Sequence, residues 1–200
     1  MDAKTTKAEQ GEATRATLMR AARELFTEHG YGGVGTEEIV RRAQVTRGAL
    51  YHHFVDKKDL FRAVHEQIEG EVIVAVAAQM TNPDADPYEL LVDGARALLD
   101  ICTDPAITRV TLVDAPSVLG WEEWREIDMR HGLGIVIAGL QGGMDAGILR
   151  SQPVRPLAHL LLGAMGEAGM VIANAGDPEA ARAEVEPALI GLLEGLRAAS

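Results

Sequence analysis

The chain predicts an all-α protein: an N-terminal three-helix unit followed by a larger helical body, about nine helices in 200 residues. Three observations carry that expectation. Apolar residues recur at three- and four-residue spacing, which gathers them on one face of a helix. No segment shows the alternating or β-branched run of a strand. Breaks rich in Gly, Pro and Asp separate the periodic runs, at Gly30, 81–87, Asp104-Pro105, Pro116, 153–156 and Asp177-Pro178.

Residues 1–12 are polar and charged and are expected to form a disordered arm, with Lys4 and Lys7 in solvent. A first helix over residues 13–29 buries Leu18, Ala22, Leu25 and Phe26 and ends at Gly30. Gly30 to Gly35 matches G-x-G-x-x-G, with Asp56 about 20 residues further on. A dinucleotide site needs a strand before that loop, and here a helix precedes it, so the glycines are read as a helix end and a bend. Thr36 is expected to cap a second helix whose first turn carries Glu37 and Glu38.

Residues 36–57 read as two short helices joined by a tight turn. Thr46 is suited to cap the second of them, and Val45 with Leu50 makes a hydrophobic staple across its start. Leu50 and Phe54, four apart, form a buried face. The opposite face presents Gly48 and His52, with Ala49 and Tyr51 beside it and Arg47 at the exposed start. An apolar anchor behind Arg, Tyr and His suits a groove lined with phosphates and base edges. A long helix over 57–80 then leads from this unit into the body. Further helices are expected over 88–102, through 107–113 as far as Pro116, over 121–144, from 153 to about 174, and from Asp177-Pro178 towards Leu196.

These residues resemble the helix-turn-helix of the TetR family of transcriptional regulators. The resemblance is carried by Thr36, Ile39-Val40, Ala43, the run from Val45 to Phe54, Lys57 and Leu60, and it covers roughly residues 13–62. It implies a DNA-facing set of Thr36, Thr46, Arg47, Gly48, Tyr51, His52, His53 and Lys57. It also implies three regions: an arm (1–12), a DNA-binding domain (13–62) and a ligand-binding and dimerisation domain (63–200). The sequence departs from the family pattern at Gln44, where glycine is usual, and at Val55, where a polar or basic residue is usual. A left-handed backbone at 44 costs glutamine on the order of 1 kcal/mol relative to glycine.

Charge is divided unevenly. Residues 1–62 hold 11 Lys and Arg against 9 Asp and Glu, a net of +2; residues 63–200 hold 8 against 21, a net of −13. An acidic body repels DNA and leaves the N-terminal unit to approach it. General acidity of soluble proteins is the alternative cause. The single cysteine, Cys102, excludes an intrachain disulfide and fits a cytoplasmic protein. The N-terminus lacks the apolar core of a signal peptide, and no uncharged apolar stretch approaches roughly 18 residues, so no membrane span is expected.

By the resemblance, the last two helices (about 155–174 and 178–198) pair with their symmetry mates in a homodimer, and the middle helices enclose a pocket for a small-molecule effector. Repression of a palindromic operator, relieved by that effector, is the family's usual mode. Gly163, Gly166 and Gly169 are expected to allow close helix approach. Trp121 and Trp124 share a helix face and serve either as a pocket wall or as a core anchor. Asp114 and Cys102 are further ligand candidates, although Asp114 also suits a helix cap and Cys102 a buried thiol. No metal-ligand cluster, cofactor motif or paired acid and base stands out, so neither an enzyme nor a bound cofactor is expected. The alternative function is a helical dimeric small-molecule-binding protein without a sequence-specific DNA role.

Overall fold

The computed structural model describes residues 7–80, 82 and 84–198. Helix α1 (Lys7–Gly33) starts inside the expected arm, so residues 7–12 are helical and that expectation is corrected. Extending a helix from an already packed segment needs no apolar face of its own, because propagation costs far less than nucleation. Residues 1–6, with Lys4, lie outside the described residues, as do Thr81 and Pro83 of the expected break. Gly30 (φ 70°, ψ 165°) breaks the helix where expected, and residues 31–33 form one further turn.

Helices α2 (Thr36–Arg42) and α3 (Arg47–His53) follow. Gly35, not Thr36, is the N-cap of α2, and Thr36 is its first helical residue. Thr46 caps α3 as expected, its hydroxyl accepting from the Ala49 amide at 3.1 Å. Gln44, between the two helices, has φ 55°, the left-handed conformation that favours glycine. Gln44→Gly is therefore expected to raise stability by about 0.5–1 kcal/mol, less what the freer unfolded glycine gives back. A urea midpoint that does not rise would show the turn to be unstrained.

Helix α4 (Lys57–Gln79) begins at Asp56, whose carboxylate accepts from the Asp59 amide at 2.8 Å. Helix α5 (Pro87–Ile101) opens with a capping box: Asp86 accepts from the Tyr88 and Glu89 amides, and Glu89 accepts from the Asp86 amide. Helix α6 is one run of three parts, Pro105–Thr108, a wider π turn over Arg109–Asp114, and Ala115–Leu119. It was expected to stop at Pro116, yet it continues. The wider turn immediately before the proline accommodates its ring and missing N–H. Helices α7 (Trp121–Asp145), α8 (Val154–Ala173) and α9 (Pro178–Glu194) complete the set. With α6 counted once, the described residues hold nine helices, and a lone antiparallel bridge (Leu149 to Arg197) is their only β pairing.

Two apolar cores fill the molecule. One joins α1–α4 to Val110, Ala115, Leu119, Trp124 and Ile127 of the body. The other lies among α5, α7, α8 and α9. The N-terminal unit and the body therefore share a core, with α4 running through it. Among the described residues α8 alone is long and apolar enough to cross a membrane, but it carries Arg155 and Glu167, and Leu161, Leu162, Met165 and Ile172 are buried in the second core. Of its three spaced glycines, Gly169 is the one that permits the expected close approach. A Cβ on Gly169 would lie 2.9 Å from Cys102 Sγ and 3.1 Å from Leu112 Cδ1, so this glycine allows close approach within the body.

Candidate DNA-binding face and body cavity

The outer surface of the helix-turn-helix is built on α3. Leu50 is fully buried and Phe54 nearly so, which anchors the inner side, while Thr46, Arg47, Gly48, Tyr51 and His52 are exposed. Thr36 reaches this surface from the start of α2, and its hydroxyl together with the nearby Arg47 guanidinium holds the Tyr51 phenol below its ordinary pKa. Arg47 also lies 5.6 Å from the Tyr51 ring centroid and 3.6 Å from Glu37. Three of the predicted residues, from two helices, thus form one contiguous polar group. His52 and His53 have their rings 5.1 Å apart, with His53 half-buried beside the first turns of α1.

Lys57 stands apart from this group. Its ammonium donates to the Tyr31 carbonyl at 3.0 Å and the Val34 carbonyl at 2.9 Å, and sits 3.9 Å from the centre of the Tyr31 ring. Burial lowers its pKa. Tyr31 is also held at its other backbone group, because its N–H donates to Asp114 of α6 at 2.7 Å. Arg109 lies 3.7 Å from Asp114 and packs over Gly30, where any Cβ would collide with its guanidinium. The guanidinium could swing away, so it is the left-handed backbone of Gly30 (φ 70°) that demands glycine. Asp114 is thus placed at the junction between the DNA-binding unit and the body, outside any cavity.

Within the body, a cavity of about 60 Å³ is lined by residues including Glu69, Cys102, Thr111, Trp124, Asp128 and Gly169. Beside it runs an almost wholly apolar groove of about 480 Å³ between α4, α5 and α7, lined by residues such as Ile73, Val76, Leu91 and Ile135. Leu98, Leu162 and Met165 line both spaces and form the wall between them. Trp124 is buried and donates its indole N–H to the Thr111 carbonyl at 2.9 Å. Trp121 is 62% exposed and lines neither space, although the two indoles lie 4.9 Å apart. The open choice for the tryptophans thus divides: Trp124 is both core and cavity wall, and Trp121 is a surface residue. Burial pushes the Cys102 thiol up to about 12, so it is an inert lining group.

Two family descriptions match the chain: "Bacterial regulatory proteins, tetR family" over residues 18–64 and "Tetracyclin repressor-like, C-terminal domain" over residues 88–196. The chain belongs to the TetR family of bacterial transcriptional regulators. It is 30% identical over 165 residues to the Transposon Tn10 TetC protein of Escherichia coli, covering 82% of each chain. It is 37% identical over 98 residues to the transcriptional repressor BepR of Brucella suis, a match spanning 48% of this chain and 46% of that one. A crystal structure of a TetR-family regulator from Pectobacterium atrosepticum superposes with a TM-score of 0.85 at 35% identity, covering 98% of this chain and 99% of that one.

The regulator also holds polar residues that the sequence pattern did not single out. His65 and Glu69 sit four apart on the inner side of α4, 3.7 Å from each other, and Asp128 of α7 faces the same cavity. Burial drives the His65 imidazole down to about 4 and the Glu69 carboxyl up to about 8, so both are neutral at pH 7 and their contact is not a salt bridge there. Neither ring nitrogen of fully buried His65 has a hydrogen-bond partner. The available signal was polar residues set among Val64, Ile68 and Val72, but without the opposing helix it reads as ordinary amphipathic scatter.

Proposed function

We propose that this regulator binds a palindromic operator as a homodimer, represses from it, and is released when a small molecule occupies the body. The observation that carries the proposal is the buttressed outer face of α3, where exposed Arg47 and Tyr51 lie together, the guanidinium 5.6 Å from the ring, with buried Leu50 and Phe54 behind them. Arg47, Tyr51 and His52 then read base edges, while Thr36, Thr46 and His53 position the helix on phosphates. Gly48 lacks a side chain where the backbone must come close to DNA. An ammonium has three donors, so Lys57 keeps one N–H for a phosphate while the other two hold the loop. Acting on chromosomal DNA places the regulator in the cytoplasm.

The dimer forms through α8 and α9. Leu160 is 73% exposed and Leu192 60% exposed, and Val171 of α8 with Ala188 and Gly191 of α9 continue an outward apolar or small-residue surface. Two such helices from each subunit make a four-helix interface, which hides this surface from water. Release follows from α6. Its Ile107, Thr108, Thr111 and Leu112 line the cavity, while its Arg109 and Asp114 hold Gly30 and Tyr31 of the DNA-binding unit. An effector that displaces α6 moves α1 and α4 with it and changes the spacing of the two reading heads. Selecting bound duplexes from random DNA should yield a palindrome with half-sites about 34–36 Å apart or a multiple of that. Recovery of unrelated sequences, or of a single half-site, would refute the homodimeric reader.

A further inference from the structure

The cavity's polar end identifies a class of effector. We propose that the regulator responds to an organic cation, an amine carried on an apolar body, with its nitrogen held between Glu69 and Asp128 and its body in the groove between α4, α5 and α7. The proposal rests on the body cavity being the effector site, and it adds the chemistry of the molecule that fits.

Size and polarity argue together. About 60 Å³ admits only a small head group, whereas the adjoining 480 Å³ groove is apolar and of the size that holds a ligand's body. The partition between them consists of Leu98, Leu162 and Met165, three flexible side chains that can turn aside. Every ionisable group lining the small cavity is an acid or the inert thiol of Cys102. Glu69 accepts no hydrogen bond among the described residues and lies against the equally unpartnered His65. Arg125, beside Asp128, is committed to that carboxylate and to the His159 carbonyl. An anionic effector would meet two carboxyls and no free positive charge. A neutral molecule leaves Glu69 protonated and so gains no charge-assisted contact there. A protonated amine instead donates to Glu69 and Asp128 and stabilises both as carboxylates.

The groups around Glu69 set the proton balance. His65 and Glu69 face inward from α4, Asp128, Arg125 and His131 from α7, and Cys102 from the end of α5. Burial first, and then Asp128, raise the Glu69 carboxyl to about 8. Binding a cation lowers it again, so Glu69 gives up its proton to solvent as the amine enters.

Three probes with one body separate the possibilities: 4-phenylbutylamine, 4-phenylbutanol and 4-phenylbutyrate, titrated calorimetrically into the full-length protein at pH 7 in two buffers of different ionisation enthalpy. The amine is expected to bind at least tenfold tighter than the alcohol, with proton release, and the butyrate more weakly than the alcohol. In Glu69→Gln the preference for amine over alcohol should fall by tenfold and the proton release should vanish. Asp128→Asn should reduce the same preference and provides a second variant should Glu69→Gln fold poorly. Equal binding of amine and alcohol to the wild type would overturn the cation assignment while leaving the cavity as the effector site. Failure of all three probes to bind would overturn both.

Discussion

Arg47→Ala and Tyr51→Ala are each expected to abolish operator recognition without disturbing the fold. Each side chain is exposed, so its removal changes stability by no more than about 0.5 kcal/mol. A good base-edge contact is worth about 1–3 kcal/mol of discrimination. In a symmetric dimer each substitution occurs twice, giving a loss of about 2–6 kcal/mol, at least a thirtyfold weakening. Either change also removes a member of the polar group that joins α2 to α3. Fluorescence anisotropy on the selected operator measures the loss, and sedimentation verifies that the dimer persists. Wild-type affinity in both variants would show that another surface reads the DNA.

The largest effect on stability is expected from Glu69→Gln, and it should depend on pH. The Glu69 carboxyl rises from 4.5 to about 8 on folding, chiefly through burial, so the native state binds its proton more tightly than the unfolded state. The stability that this contributes is fully present below about pH 4.5 and is lost as pH rises to about 8. At 1.36 kcal/mol per unit, the loss is on the order of 3–5 kcal/mol. His65 works in the opposite sense. Its imidazole falls from 6.5 to about 4, so its contribution is present above pH 6.5 and lost as pH falls towards 4. The two slopes roughly cancel between pH 4.5 and 6.5, and above 6.5 the wild type should weaken. Glutamine imitates the protonated acid, so the variant should match the wild type near pH 4.5 and exceed it increasingly up to pH 8. Parallel unfolding midpoints for the two proteins across this range would mean that Glu69 is ionised in the native state.

Much of the DNA-binding unit is legible from local chemistry. The Thr46 cap, the Leu50 and Phe54 anchor and the end of α1 at Gly30 depend on residues within one or two turns of each other. Thr36 was misjudged because two neighbouring residues, Gly35 and Thr36, both suit a cap. The tertiary partner, the Tyr51 hydroxyl, gives the Thr36 side chain a different role. The ligand candidates fared unevenly for the same reason. Trp121 and Trp124 are alike in sequence, yet the packing of α6 against α7 buries one indole and leaves the other in solvent.

By itself the sequence determined the helical class, the order of the helices, the reading helix with its exposed Arg47 and Tyr51, and the contrast between a slightly basic head and an acidic body. These follow from periodicity, caps and composition, which act over a few residues or add along the chain. Only the tertiary structure decided that Lys57 and Asp114 hold the backbone carbonyl and N–H of Tyr31, that Gly169 faces Cys102, and that Glu69 and Asp128 meet in one cavity. Those juxtapositions join helices distant in the chain. Desolvation and contact depend on what lies across the gap, and no local pattern encodes that.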